Sequence, residues 1–162
     1  MKRRFWASTL TALLLIIGID FLFNASILKY VWQQEIAAIK PLEELALLIP
    51  AGYLSLLLLT ILIGYIFTLV FREKPESKDV IRFATIFGVL FSLSGFLGSF
   101  SVLTIPVSTL ALMNVVHFIE VFGIIIVYND LFYDDRIRKK VLIWLCVFII
   151  LLICGVVIQN IF

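Results

Sequence analysis

The sequence predicts an all-α polytopic transmembrane bundle of five helices, with residues 1–162 forming a single integral membrane domain and no soluble domain. Three observations lead there. The first is composition: 63% of the residues are hydrophobic, 15% are charged, and mean hydropathy is +1.17. A soluble domain is about half apolar and about a quarter charged, and a chain this short has too much surface to hide the excess. The second is the presence of five apolar runs, each longer than the ~20 residues a helix needs to cross ~30 Å of hydrocarbon. The third is that basic residues cluster between alternate runs. Soluble, disordered and nucleic-acid-binding proteins are excluded.

The runs are Phe5–Leu28, Leu45–Phe71, Val80–Leu103, Val107–Tyr128 and Val141–Phe162. None alternates with the period of two that barrel strands show, so all are helices. The first follows Lys2-Arg3-Arg4 as a secretory leader would, but it is longer than a leader core of about 7–15 residues. It also lacks a small-residue cleavage pair, because Phe23 stands two before Ala25. An uncleaved span is expected. Asn24-Ala25-Ser26 matches a glycosylation pattern but falls at a span end, where no modification is expected.

The connection Lys29–Glu44 has two readings. Trp32, Ile36 and Ile39 share a helical face, with Gln33, Lys40 and Glu43 elsewhere, until Pro41 stops the run. This suits a short amphipathic helix on the membrane surface or an extension of the first span with Tyr30 and Trp32 as an aromatic belt. Pro50 predicts a kink in the second span. The charged turn Arg72–Asp79 follows, with Ser77 as the expected cap of the third span. In that span Gly88, Ser92, Gly95 and Ser99 lie on one face, and Ser94, Gly98 and Ser101 on the next. Such small-residue faces let helices approach closely. Packing at the centre of the bundle is favoured over a homodimer interface.

Pro106 is expected to begin the fourth span. After that span, Asp130, Asp134 and Asp135 are expected to pair with Arg136 and Arg138 in a solvated turn. The last span is almost purely apolar and suits lipid or a partner helix. Its Cys146 and Cys154 stand ~12 Å apart along a helix, too far to bridge.

Orientation follows from the lysines and arginines. Eleven flank one side (Lys2, Arg3, Arg4; Arg72, Lys74, Lys78, Arg82; Arg136, Arg138, Lys139, Lys140), and the other side has only Lys29 and Lys40. The positive-inside rule then places the amino terminus in the cytoplasm and the carboxyl terminus outside. A plasma membrane is expected, with lipid as the first partner and a homo-oligomer or larger membrane complex as a further one.

Charged and strongly polar side chains in hydrocarbon are costly and mark function or interhelical bonding. Asp20 and Asn24 share a face of the first span, and Asn114, His117 and Glu120 sweep about 120° of the fourth. At 1.5 Å per residue, Asp20 lies about 12 Å and His117 about 13 Å below the outer boundary. Tyr53 and Ser94 fall near that level. These seven residues are the candidate site, with Asp20 and His117 expected to touch. One reading is a protonatable cluster that binds a proton, cation or small ligand. The runner-up is interhelical glue in a structural or accessory subunit. An intramembrane enzyme is the weakest reading, because the chain has one histidine and neither HExxH nor GxSxG. No metal or cofactor is implied.

Overall fold

The computed structural model describes residues 2–32 and 42–161. Helix α1 (Lys2–Asp20) passes directly into a π-helical segment (Phe21–Ile27), which is followed by the short α2 (Lys29–Trp32). Then come α3 (Leu42–Val70), α4 (Ser77–Val102), α5 (Val107–Phe132) and α6 (Ile137–Ile161). Among the described residues, five stretches are long and apolar enough to cross a membrane: Lys2–Ile27, Leu47–Val70, Ser77–Val102, Val107–Phe132 and Ile137–Ile161. They coincide with the five apolar runs.

Helices α4 and α6 run past the runs at the basic end, where Lys78 and then Arg138, Lys139 and Lys140 continue the helices, and α5 runs on through Asn129–Phe132. Lysine and arginine are good helix formers. An apolar count sees only the part in hydrocarbon. The surface segment proposed around Ile36 and Ile39 lies outside the described residues. Ser77 is the first residue of α4 and does not cap it: Glu76 holds the cap position, with no side-chain cap bond. Pro106 immediately precedes α5, as its fixed φ and missing N–H favour. Pro50 lies within α3.

Helices α1 and α5 form the centre. α1 packs on α3, α5 and α6, and α5 also receives α3 and α4. Ala12, Ile16, Val121, Ile124, Ile125 and Tyr128 are fully buried along their seam. Gly64 brings α3 onto this core, since a Cβ there would stand 2.0 Å from the Tyr128 ring. α6 touches the core over a narrow strip and is otherwise largely exposed. It meets the π-helical segment where Gly155 accepts the Phe21 ring, 2.7 Å from where a Cβ would be.

The small-residue faces of α4 do not occupy the centre. α4 packs chiefly on α5, with Gly88 against Phe118 and Ser92 buried. Gly98 meets nothing within 4 Å. The buried face of α4 is Val80, Ala84, Gly88 and Ser92, which only partly overlaps the small-residue stripes.

The basic end is tied by polar bonds. Arg4 pairs with Asp135 at 2.6 Å, and the Tyr133 hydroxyl donates to the Phe71 carbonyl. Asp130 accepts from Lys140 and, at 3.0 Å, from Trp144 Nε1. Asp134 pairs with Lys140 at 3.0 Å and lies 3.8 Å from Arg136. The expected aspartate partners are therefore corrected. Only Asp134 takes Arg136; Lys140, one turn into α6, reaches back to both Asp130 and Asp134, while Arg4 crosses from α1.

Helix α3 meets the core by its second half, where Thr60, Ile63 and Phe67 are buried. Its first half stands off, with Leu47–Ser55 exposed. A gap is left between that half, the π-helical segment and α5.

Candidate functional site

The gap is a cavity of about 830 Å³. Its walls come from α1 and the π-helical segment (Asp20, Phe21, Asn24, Ala25), from α3 (Ile49, Gly52, Tyr53, Ser55, Leu56) and from α5 (Met113, His117, Glu120). Lys29 of α2 and Gln159 of α6 complete it.

Asp20 closes α1, and the chain then widens into the π-helical turns. Leu28 N–H donates to the Phe23 carbonyl at 2.7 Å, five residues back. π-bulges are rare and concentrate at functional sites. The widening has a visible cause in packing. The Phe21 ring and Ser26 both press on Gly155 of α6, while Asp20, Asn24 and Ala25 turn to the opposite gap. Asn24 Nδ2 donates to Asp20 Oδ1 at 2.7 Å, which leaves Asn24 Oδ1 buried without a partner.

On α5, the i, i+3 spacing puts His117 Nδ1 2.9 Å from Glu120 Oε2. The Glu120 side chain is 1% exposed and that of His117 49%. Glu120 is thus held inward by its histidine, while the far side of the imidazole remains open. The two carboxylates differ in their surroundings. Glu120 has a basic partner within hydrogen-bond reach, and Asp20 has only a neutral amide.

Five of the seven candidates line this cavity: Asp20, Asn24, Tyr53, His117 and Glu120. Two do not. Asn114 lies about 60° round the helix from His117, toward α4, where its Nδ2 donates to the Leu110 carbonyl at 2.8 Å and its Oδ1 faces Gly95. Ser94 is on the outward face of α4, away from the gap. Depth grouped Ser94 with the rest, and helical spacing grouped Asn114 with His117 and Glu120, although the sweep of about 120° is wide enough to reach a second neighbour. Depth says nothing of which side of a helix faces a neighbour.

The expected contact between Asp20 and His117 is not a hydrogen bond. Each is bonded to a residue of its own helix, three or four positions on, and the two groups face each other across the cavity. None of the cluster's side-chain hydrogen bonds crosses between helices. The bond that ties α1 to α5 is elsewhere, where the Tyr128 hydroxyl donates to the Thr9 hydroxyl oxygen. Phe21, Lys29, Met113 and Gln159 belong to the cavity without having been singled out. Lys29 stands nine residues after Asp20, and a π-helical turn was needed to bring both to one side. Among the described residues, no three His, Cys, Asp or Glu side chains are placed to share a metal ion.

Compared with models of protein families, with curated proteins and with solved structures, the chain matches none.

Proposed function

We propose that this multi-pass membrane protein uses the cavity to bind a proton, a cation or a small ligand, with Asp20 as the principal acceptor and His117–Glu120 as a coupled pair beside it. One observation carries the reading. Asp20 lines a cavity within the membrane-spanning region and has Asn24 as its hydrogen-bond partner, with no cation bonded to it. An ionised carboxylate in so apolar a setting costs several kcal/mol. It is therefore neutralised by a proton or by a bound cation.

The alternative, a structural subunit in which the cluster is glue, is disfavoured by a specific observation. Glue requires bonds between helices, and those of Asp20, Asn24, His117 and Glu120 stay within their own. The unsatisfied Asn24 oxygen and the half-open imidazole suit an occupied site better than a closed seam.

The distribution of lysine and arginine supports an orientation with the basic end in the cytoplasm, hence a cavity in the outer half of a cell membrane. The broad apolar faces of α3, α4 and α6 are compatible with lipid and with an oligomeric carrier.

Infrared difference spectroscopy of the purified protein tests the reading. Lowering the pH should add a carboxylic-acid C=O band that is missing from Asp20→Asn, and a bound cation should remove it. A carboxyl region identical in the wild type and Asp20→Asn throughout the titration would overturn the proposal.

A further inference from the structure

We infer that the cavity's occupant is an organic ammonium with an apolar or aromatic body, taken up in exchange for the proton on Asp20. This rests on the reading above and names its ligand class.

The first consideration is charge. Glu120 has His117 at 2.9 Å, whereas Asp20 has the Asn24 amide alone. The wall therefore presents one acidic group without a cationic partner. The other titratable groups facing it are His117 and Glu120 from α5, Tyr53 from α3 and Lys29 from α2; α6 contributes the uncharged Gln159. Lys29 is nine residues from Asp20, and among the described residues the two form no ion pair. An incoming cation is drawn to Asp20, the acidic group of the wall that no cation neutralises.

The second consideration is coordination. A hard inorganic cation prefers about six or more oxygen ligands at short range. Here Asp20 is the one unengaged carboxylate, Glu120 being held by His117, and the other side-chain oxygens of the wall are the neutral ones of Tyr53, Ser55 and Gln159. An ammonium needs fewer: a carboxylate, a carbonyl oxygen and the face of an aromatic ring suffice. Tyr53 supplies such a ring in the same wall.

The third is size and lining. Cavities of about 300–1,000 Å³ suit small organic ligands, and this one measures about 830 Å³. A proton or a single ion uses little of it. Ile49, Leu56 and Met113 give the remainder an apolar surface. The first half of α3 stands off the core, and Gly52 has open space where a side chain would be, so the apolar body has a route in from the lipid side.

The exchange balances. One ammonium enters with its charge, one proton leaves Asp20 for water, and the net charge of the cavity is unchanged.

The test is calorimetric titration of the full-length protein in nanodiscs, run in two buffers of different ionisation enthalpy so that released protons are counted. The probes are benzyltrimethylammonium, its neutral isostere neopentylbenzene, sodium chloride and potassium chloride. Benzyltrimethylammonium should bind with release of up to one proton, and its affinity should rise about tenfold per pH unit while Asp20 is protonated. Neopentylbenzene should bind at least tenfold more weakly, and Asp20→Asn should release no proton. The pH dependence in the wild type keeps the test valid if that variant folds poorly. Equal binding of the neutral isostere, or pH-independent binding, would overturn the inference. If sodium or potassium releases the proton and the ammonium does not, this ligand class is wrong and the cation reading stands. If no probe releases a proton but the infrared band titrates, only the proton site survives. Absence of that band would remove both.

Discussion

Tyr128 is fully buried between α1, α3 and α5, and its hydroxyl bonds to Thr9 across the seam. Thr9 also donates to the Phe5 carbonyl at 2.9 Å, so removing the phenol leaves the threonine satisfied. Tyr128→Phe should lower unfolding stability by about 0.6–1.7 kcal/mol, the range for interhelical bonds in membranes. Gly64 shows the other side of the same contact. Its missing Cβ would lie 2.0 Å from the Tyr128 ring, and that ring is pinned on all sides. Gly64→Ala should cost about 1–3 kcal/mol or more, and Tyr128→Val added to it should restore part of the loss. Chemical unfolding of the two single variants and the double variant checks this coupling. A Gly64→Ala protein as stable as the wild type would mean that α3 does not approach α5 here. None of this was legible in the sequence. Tyr128 is one aromatic residue among many, and nothing in its neighbours marks it as the residue on which three helices converge.

At the scale of elements, the five spans were legible because hydrocarbon tolerates so few charges that apolar run length nearly dictates them. The helix ends at the basic side were not, since lysine and arginine continue a helix that the hydropathy pattern has already ended. The π-helical turn was also hidden. Phe21–Ile27 reads as ordinary span sequence, and its widening comes from Phe21 and Ser26 settling on Gly155 of a helix more than a hundred residues away. Gly155→Leu should therefore release the π-helical segment from α6, and lower thermal stability more than Gly98→Leu, where space is open. Within α4, Gly88→Leu should be more damaging than Gly95→Leu. At Gly88 the obstacle is the Phe118 ring at 3.0 Å, whereas at Gly95 it is the end of the Asn114 side chain at 3.1 Å. Thermal melts of the four variants decide the order, and equal melts would place α4 elsewhere.

The α5–α6 turn carries an acid-sensitive contact. The backbone N–H of Arg136 donates to Asp134 at 2.7 Å, and that bond, then the Lys140 ammonium, holds the Asp134 carboxyl below its ordinary range. A carboxyl lowered by folding contributes stability above its unfolded value and loses it as pH falls through the folded one. Wild-type stability should thus decline at the acid end more than that of Asp134→Asn. Parallel acid profiles of the two proteins would show that this contact contributes nothing.

For the whole molecule, the bundle divides its polar work between two ends. The basic end is closed by bonds from Arg4, Tyr133, Lys140 and Trp144 to neighbouring elements. The opposite half keeps Asp20, Asn24, His117 and Glu120 around a cavity, bonded within their own helices. The sequence revealed that such residues exist at a common depth. It could not reveal rotation about each helix, which removed Ser94 and Asn114 from the group, nor which polar residues bind helices together. Orientation is open to direct test: a reporter fused after Phe162 should be outside the cytoplasm and one at Ser77 inside. Both reporters on one side would break the alternation of basic clusters on which the orientation depends.

Thermal unfolding of Asp20→Asn, set beside Tyr128→Phe at neutral pH, separates a binding site from glue most directly. If Asp20 serves a ligand or proton, replacing it with a neutral isostere removes a half-buried ionisable group that no other helix relies on. The variant should melt at or above the wild-type temperature, as changes at functional sites often do, while Tyr128→Phe melts below it. An Asp20→Asn protein that melts lower than Tyr128→Phe would contradict the binding site and make the cluster glue.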